Sequence, residues 1–143
     1  MPSIELCENL RERLVELARQ GAPNEVCGYV VGHRGEPLRA SGLYPVENAL
    51  MSPTAFALDG QSMIDAEKRI ETDGYEILGV YHSHPTSPPE PSKRDRRDAA
   101  EYDPFGYLVH LIVSLRDGAA EIRAWAYDDD QAVGLDLIDE VVK

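Results

Sequence analysis

Leu6, Leu10, Leu14 and Leu17 recur every three or four positions, which predicts an amphipathic helix over about residues 4–20. Gly21-Ala22-Pro23-Asn24 ends it. The apolar run 26–31 predicts a strand, 32–35 a turn, and 38–46 a second strand with Pro45 near its end. Within 56–73, Met63, Ala66 and Ile70 share one helical face, so a second helix is expected there despite Gly60, with Gly74 as its C-cap. Residues 77–81 are unbroken apolar, as in a strand covered on both faces. A proline-rich loop follows, then a polar helix over about 92–102. The strongest strand signal is 107–115, and Asp117-Gly118 turns it towards a hairpin partner at 121–127. The tail, about 131–143, fits a strand or a short helix. Strands interleaved with two or three helices predict an α/β or α+β sandwich around a mixed sheet. A chain of 143 residues closes one such core, so residues 1–143 are taken as one domain.

Composition narrows the class. Hydrophobic residues at 43% and charged residues at 28% exclude disordered, collagen-like and coiled-coil chains. No apolar run approaches the roughly 20 residues of a membrane helix, and Met1-Pro2-Ser3-Ile4-Glu5 lacks the basic and apolar regions of a secretory signal. Lys and Arg total 14 against 26 Asp and Glu, a net charge of −12. Such a surface repels phosphate backbones and argues against nucleic-acid binding. It suits a salt-rich cytoplasm, where screening tolerates it, and equally an acidic protein at ordinary salt. Cys7 and Cys27 form neither a disulfide framework nor a Cys-x-x-Cys site, which points to a reducing cytoplasm.

The chemistry concentrates in residues 82–95. His82 and His84 are two apart, so on an extended chain both imidazoles face the same way. Leaving the end of a buried strand together, they can grip one metal ion. Pro85 stops the strand. Ser92 and Asp95 lie where the polar helix begins, and a side chain from that turn can supply an anionic third ligand. Two nitrogens, one carboxylate and a water make an open, catalytic zinc arrangement, whereas a structural site is closed by four protein ligands. Other readings stay open: His-x-His alone can be surface decoration, and Ser-x-x-Asp is also a helix-capping pattern.

The four-part pattern Glu25, His82-Ser83-His84-Pro85, Ser92 and Asp95 resembles the JAMM (MPN+, Mov34/PAD-1) metalloprotease motif. The segment 24–32 resembles the family's glutamate strand, and the likeness runs from the first helix to the hairpin at Asp117-Gly118. The resemblance implies a cytidine-deaminase-like sandwich and Zn²⁺ held by His82, His84 and Asp95. It implies that Glu25 is the general acid/base and that Ser92 helps hold the oxyanion. Residues 52–54 and Phe56 resemble a stretch near the substrate path. His110 and Cys27 read as structural. Lys93, Arg94, Arg96 and Arg97 form a basic cluster, either a solvated face or a contact for a partner's acids.

The family resemblance further implies hydrolysis after the C-terminal Gly-Gly of a ubiquitin-like protein. The chain looks most like compact bacterial members that act on ubiquitin-like sulfur carrier proteins. Release of a carrier-bound cysteine and trimming of a carrier's tail fit equally. The partner expected is therefore such a carrier, with no nucleic acid and no membrane, and the chain itself is expected to be a monomer or homodimer. A non-catalytic binding module for the same partner is the alternative. A zinc nucleobase deaminase would need His-x-Glu followed by Pro-Cys-x-x-Cys, and the chain has neither.

Overall fold

The computed structural model describes residues 3–129 and 131–140. Its element order is β1 (Ser3–Leu6), α1 (Leu10–Gly21), β2 (Cys27–His33), β3 (Leu38–Val46), α2 (Gly60–Asp73), β4 (Glu76–His84), α3 (Lys93–Tyr102), β5 (Val109–Asp117), β6 (Ala119–Asp128) and β7 (Gln131–Asp139). This is the expected α+β architecture, a mixed seven-stranded sheet with three helices. The strands run in the order β1-β3-β2-β4-β5-β6-β7, and β1 also pairs with β7, so the sheet closes on itself. No helix among the described residues is long and apolar enough to cross a membrane.

The chain departs from the sequence expectation at two places, and at a third it takes one of the two forms left open. Residues 3–6 form a strand, not the start of the first helix. Ile4 and Leu6 alternate inwards with period two, and Asn9, at φ 68°, then turns the chain into α1. The second helix starts at Gly60, not at 56: the Asp59 carboxylate caps it by accepting from the Ser62 N–H. Phe56 is left in the preceding loop. The tail is a strand as far as Asp139, with Leu135 and Leu137 turned against the core; residues 141–143 lie outside the described residues, as do Met1 and Pro2.

Each face of the sheet has its own apolar layer. Leu10, Leu14 and Ala18 of α1 pack with Val30, Leu43, Tyr81, Leu111 and Val113. On the other face, Ala66 and Ile70 of α2 pack with Tyr29, Val31 and Val80. Alternation along β4 therefore sends Tyr81 and Ser83 towards α1, and His82 and His84 to the face of α2. β4 runs on through both histidines and is buried along nearly its whole length. It is flanked by β2, antiparallel, and β5, parallel. A parallel pair needs a crossover, and α3 provides it. The loop leaving the C-terminal end of β4 thus lies over the sheet, where α/β units gather their ligands.

The β4–β5 junction leaves no room at Gly79. It pairs with Val109, and a β-carbon there would overlap the Val109 backbone. Gly79→Ala is expected to cost about 1–3 kcal/mol by overpacking. Urea denaturation measures it, and a variant as stable as the parent would contradict this close approach.

Candidate metal centre

His82 and His84 end β4 with their Nε2 atoms 3.1 Å apart. Asp95, in the first turn of α3, places Oδ2 3.1 Å from one and 3.0 Å from the other. All three side chains are buried. The three atoms form a nearly equilateral triangle. Three vertices of a tetrahedron with bonds of about 2.0–2.1 Å are about 3.3 Å apart, so the triangle fits a zinc ion. Glu25, His82 and His84 also offer ligand atoms within 4.8 Å of one another. The donor set is thus two imidazoles and two carboxylates, with Asp95 the nearer acid. Glu25 Oε1 is buried and has no hydrogen-bond partner, as expected of a group aimed at something the protein itself does not supply.

The proline-rich loop holds this geometry through three consecutive carbonyls. Ser87 O accepts from the Ser114 hydroxyl at 2.6 Å, Pro88 O from His84 Nδ1 at 2.7 Å, and Pro89 O from the Trp125 indole at 2.9 Å. The second bond puts a proton on His84 Nδ1, so Nε2, which faces Asp95, is the nitrogen placed to meet a cation. His82 is held differently. Its ring stacks on Phe56, with centroids 4.4 Å apart, and its Nδ1 is buried without a partner.

Ser92 and Asp95 form the helix cap that one reading of the sequence predicts. Ser92 Oγ accepts from the Asp95 N–H at 3.0 Å, and Asp95 Oδ2 accepts from the Ser92 N–H at 2.9 Å, a complete capping box. The same Oδ2 meets the histidines. Ser92 itself is exposed, so its hydroxyl proton is open to an incoming acceptor.

Glu25 sits two residues before β2 and is 4% exposed. Its N–H donates to Ser52 O at 2.8 Å, and its carbonyl accepts from the Asn48 amide at 3.0 Å. The next residue, Val26, donates its N–H to the Ser83 hydroxyl at 2.8 Å and accepts from the Ser83 N–H at 3.0 Å. The serine between the two histidines therefore fastens the glutamate segment to the histidine strand. Sequence reasoning missed Ser83, Asn48 and the Pro88 carbonyl. Only Ser83 left a signal, as a polar residue inside a buried strand.

Burial pushes the Glu25 carboxyl up to about 7, with Asp95 adding to the rise and His84 and Arg94 opposing it. Asp95 goes the other way: burial would raise it, but hydrogen bonds from both histidines and from the Ser92 N–H hold it well below the usual carboxylate range. Burial lowers His82. It would lower His84 too, but Asp95 and the Pro88 carbonyl outweigh it and raise that ring.

His110 is buried against Asp103, away from the triangle. Cys27 is buried, its thiol pushed up to about 12 by desolvation. A cleft of about 720 Å³ between α1 and β3 contains none of the metal-site residues. A cleft of about 450 Å³ does reach Glu25, past Asn24, Cys27, Asn48, Met51 and Tyr81.

Comparison with known proteins agrees with this geometry. The family described as prokaryotic homologs of the JAB domain matches residues 8–128. The desampylase of Haloferax volcanii is 34% identical over 131 residues, 88% of this chain and 90% of that one. A probable TtuB-protein conjugate cleaving protease of Thermus thermophilus is 32% identical, covering 88% of this chain and 76% of that one. The CysO-cysteine peptidase of Mycobacterium tuberculosis is 31% identical, covering 76% and 71%. The solution structure of a Desulfitobacterium hafniense protein superposes with a TM-score of 0.85 at 32% identity, over 96% of this chain and 92% of that one. With the family pattern spanning most of its length and relatives of this identity along most of theirs, the chain belongs to the prokaryotic JAB-domain family and is a JAMM-type metallopeptidase.

Proposed function

We propose that the chain is a zinc peptidase that hydrolyses the bond after the C-terminal Gly-Gly of a ubiquitin-like sulfur carrier protein, in cysteine or sulfur-cofactor biosynthesis. The observation that carries this reading is the triangle of two nitrogens and Asp95 Oδ2, with the unpartnered Glu25 oxygen beside it. The names of the desampylase, the TtuB-conjugate protease and the CysO-cysteine peptidase support the substrate class. Helices on both faces of the sheet fit the cytidine-deaminase-like sandwich. Two reduced thiols fit a cytoplasmic enzyme.

In this reading His82, His84 and Asp95 hold Zn²⁺. The ion supplies Lewis acidity for the scissile carbonyl and makes water nucleophilic at neutral pH. Glu25, raised to about 7, takes the proton from the attacking water and passes it to the leaving amine. The Ser92 hydroxyl donates to the oxygen on which charge develops. Glycines suit a narrow passage to a buried site because they carry no side chain.

A carrier fused to a peptide beyond its Gly-Gly is the test substrate. Glu25→Ala is expected to lower kcat by roughly 10²–10⁴-fold while zinc binding persists. His84→Ala is expected to lose the zinc, and cleavage with it. Full activity in Glu25→Ala would refute the assigned roles.

Ser92→Ala is expected to lower kcat by roughly 10²–10³-fold, with loss of the cap costing about 1 kcal/mol of stability. Kinetics and denaturation of the one variant separate the two effects, and an unchanged kcat would remove Ser92 from the reaction.

Glu25 also predicts a pH dependence. Its carboxyl rises on folding from about 4.5 to about 7, so its favourable contribution is complete below about 4.5 and is lost as pH rises through 7. Chelator-treated Glu25→Gln, which cannot ionise, should therefore gain on the parent between pH 5 and pH 8, by about 1–2 kcal/mol after solvent screening. Urea denaturation at the two pH values measures the gap, and a gap that narrows would reverse the sign assigned to this group.

A further inference from the structure

Helix α3 carries Asp95, yet it has almost no apolar face. Of its ten residues only Asp95 and Ala99 are buried, whereas a helix seated on a core normally offers three or four apolar residues in every two turns. Its outer side presents Lys93, Arg94, Arg96 and Arg97. Tyr102 adds one ring, laid 6.0 Å from that of His110. Hydrophobic burial therefore does little to fix where α3 lies.

What fixes it is polar, and it sits at the two ends. At the N-terminal end, Asp95 meets the histidine pair. At the other end, the C-cap residue Asp103 donates its N–H to Ala99 O at 2.7 Å, which ties it to the last turn. Its carboxylate is buried. Oδ1 accepts from the Tyr107 N–H at 2.9 Å, and Oδ2 from the Leu108 N–H at 3.2 Å and from His110 Nε2 at 3.0 Å. His110 belongs to β5, which pairs with the histidine strand in the register Val80↔His110 and His82↔Ile112. Its ring is wedged edge-on against Tyr127, with centroids 4.7 Å apart. The anchor is therefore rigid and shares a sheet with the metal-binding imidazoles.

We propose that the Asp103–His110 pair is a positioning device for the metal centre: by pinning the C-terminal end of α3 to β5, it sets where Asp95 Oδ2 meets His82 and His84. This rests on the reading of Asp95 as a metal ligand. Without the pair, the metal site itself would have to locate α3, and the ordering of the helix would be charged against zinc binding. Partners one bond beyond a metal ligand usually change affinity 10–100-fold. The pair lies two helical turns from Asp95 and acts through the helix, so the lower end of that range is expected.

The experiment compares zinc affinities by competition with a chromophoric chelator. The variants are Asp103→Asn, which keeps the shape of the side chain; His110→Phe, which keeps the ring; and His110→Gln, which keeps a side-chain donor. Leu14→Ala, a cavity in the α1 layer on the opposite face of the sheet, controls for plain loss of stability. Urea denaturation of chelator-treated samples gives the stability of each. Asp103→Asn and His110→Phe should bind zinc about tenfold more weakly, His110→Gln should recover towards the parent, and Leu14→Ala should bind like the parent. Asp103→Asn decides the question if His110→Phe does not fold. Parent-like affinity in Asp103→Asn, or an equal loss in Leu14→Ala, would overturn the positioning role while leaving the zinc site standing. A parent protein that binds no zinc would overturn the reading of Asp95, and this inference with it.

Discussion

Two imidazole nitrogens and a carboxylate oxygen meet at 3.0–3.1 Å in a buried site, and that meeting needs a positive charge at its centre. Desolvation makes such a cluster costly unless it is paired. The surrounding structure reads as the means of holding it. β4 is clasped between two strands so that its alternation can aim both histidines the same way. Three successive carbonyls of the following loop are tied down by side chains of β4, β5 and β6. The helix that brings Asp95 begins with a cap built from that same carboxylate.

Two acids stand beside the same pair of rings, and their environments drive them apart. Asp95 accepts hydrogen bonds from both histidines and a backbone N–H, and stays ionised. Glu25 has a buried oxygen with no partner, and desolvation lifts it into the neutral range. Such a separation gives the two carboxyls different protonation behaviour near neutral pH without any difference in functional group. The division depends on backbone: Glu25 is held by Ser52, Asn48 and, through Val26, by Ser83, so its carboxylate has no structural bond to lose when it takes up a proton.

Much of this was legible in the chain, for definite reasons. A run buried on both faces reads as apolar whatever its neighbours are, so β4 was visible, and period two placed both histidines on one face. The Ser92 and Asp95 spacing announced a helix start, and the oxygen that closes the cap is also the one that meets both histidines. The failures are equally physical. Leu6 fits a helical repeat with Leu10 and Leu14 as well as it fits alternation with Ile4, and local pattern cannot choose between them. What decides is pairing with β3 and β7, far along the chain. Asn48 and the Pro88 carbonyl act on backbone groups that only the folded chain brings near, so no spacing marks them. The basic residues of α3 were visible as a cluster, but that they leave the helix without an apolar face became meaningful only once its polar ends were seen.

The closure of the sheet carries a kinetic consequence. β1 lies parallel between β3 and β7, with Leu6 opposite Asp139, and Arg11 of the following helix reaches Asp139 at 3.1 Å. While the ribosome is still making the second half of the chain, one flank of β1 has no neighbour. The ring can seal only after residue 139 has emerged, and contacts of such long sequence separation form slowly. The earlier strands must therefore wait as an open curl, with one side of β1 exposed to other nascent chains. The nine-residue strand β7 is then the latch that withdraws that edge from solvent.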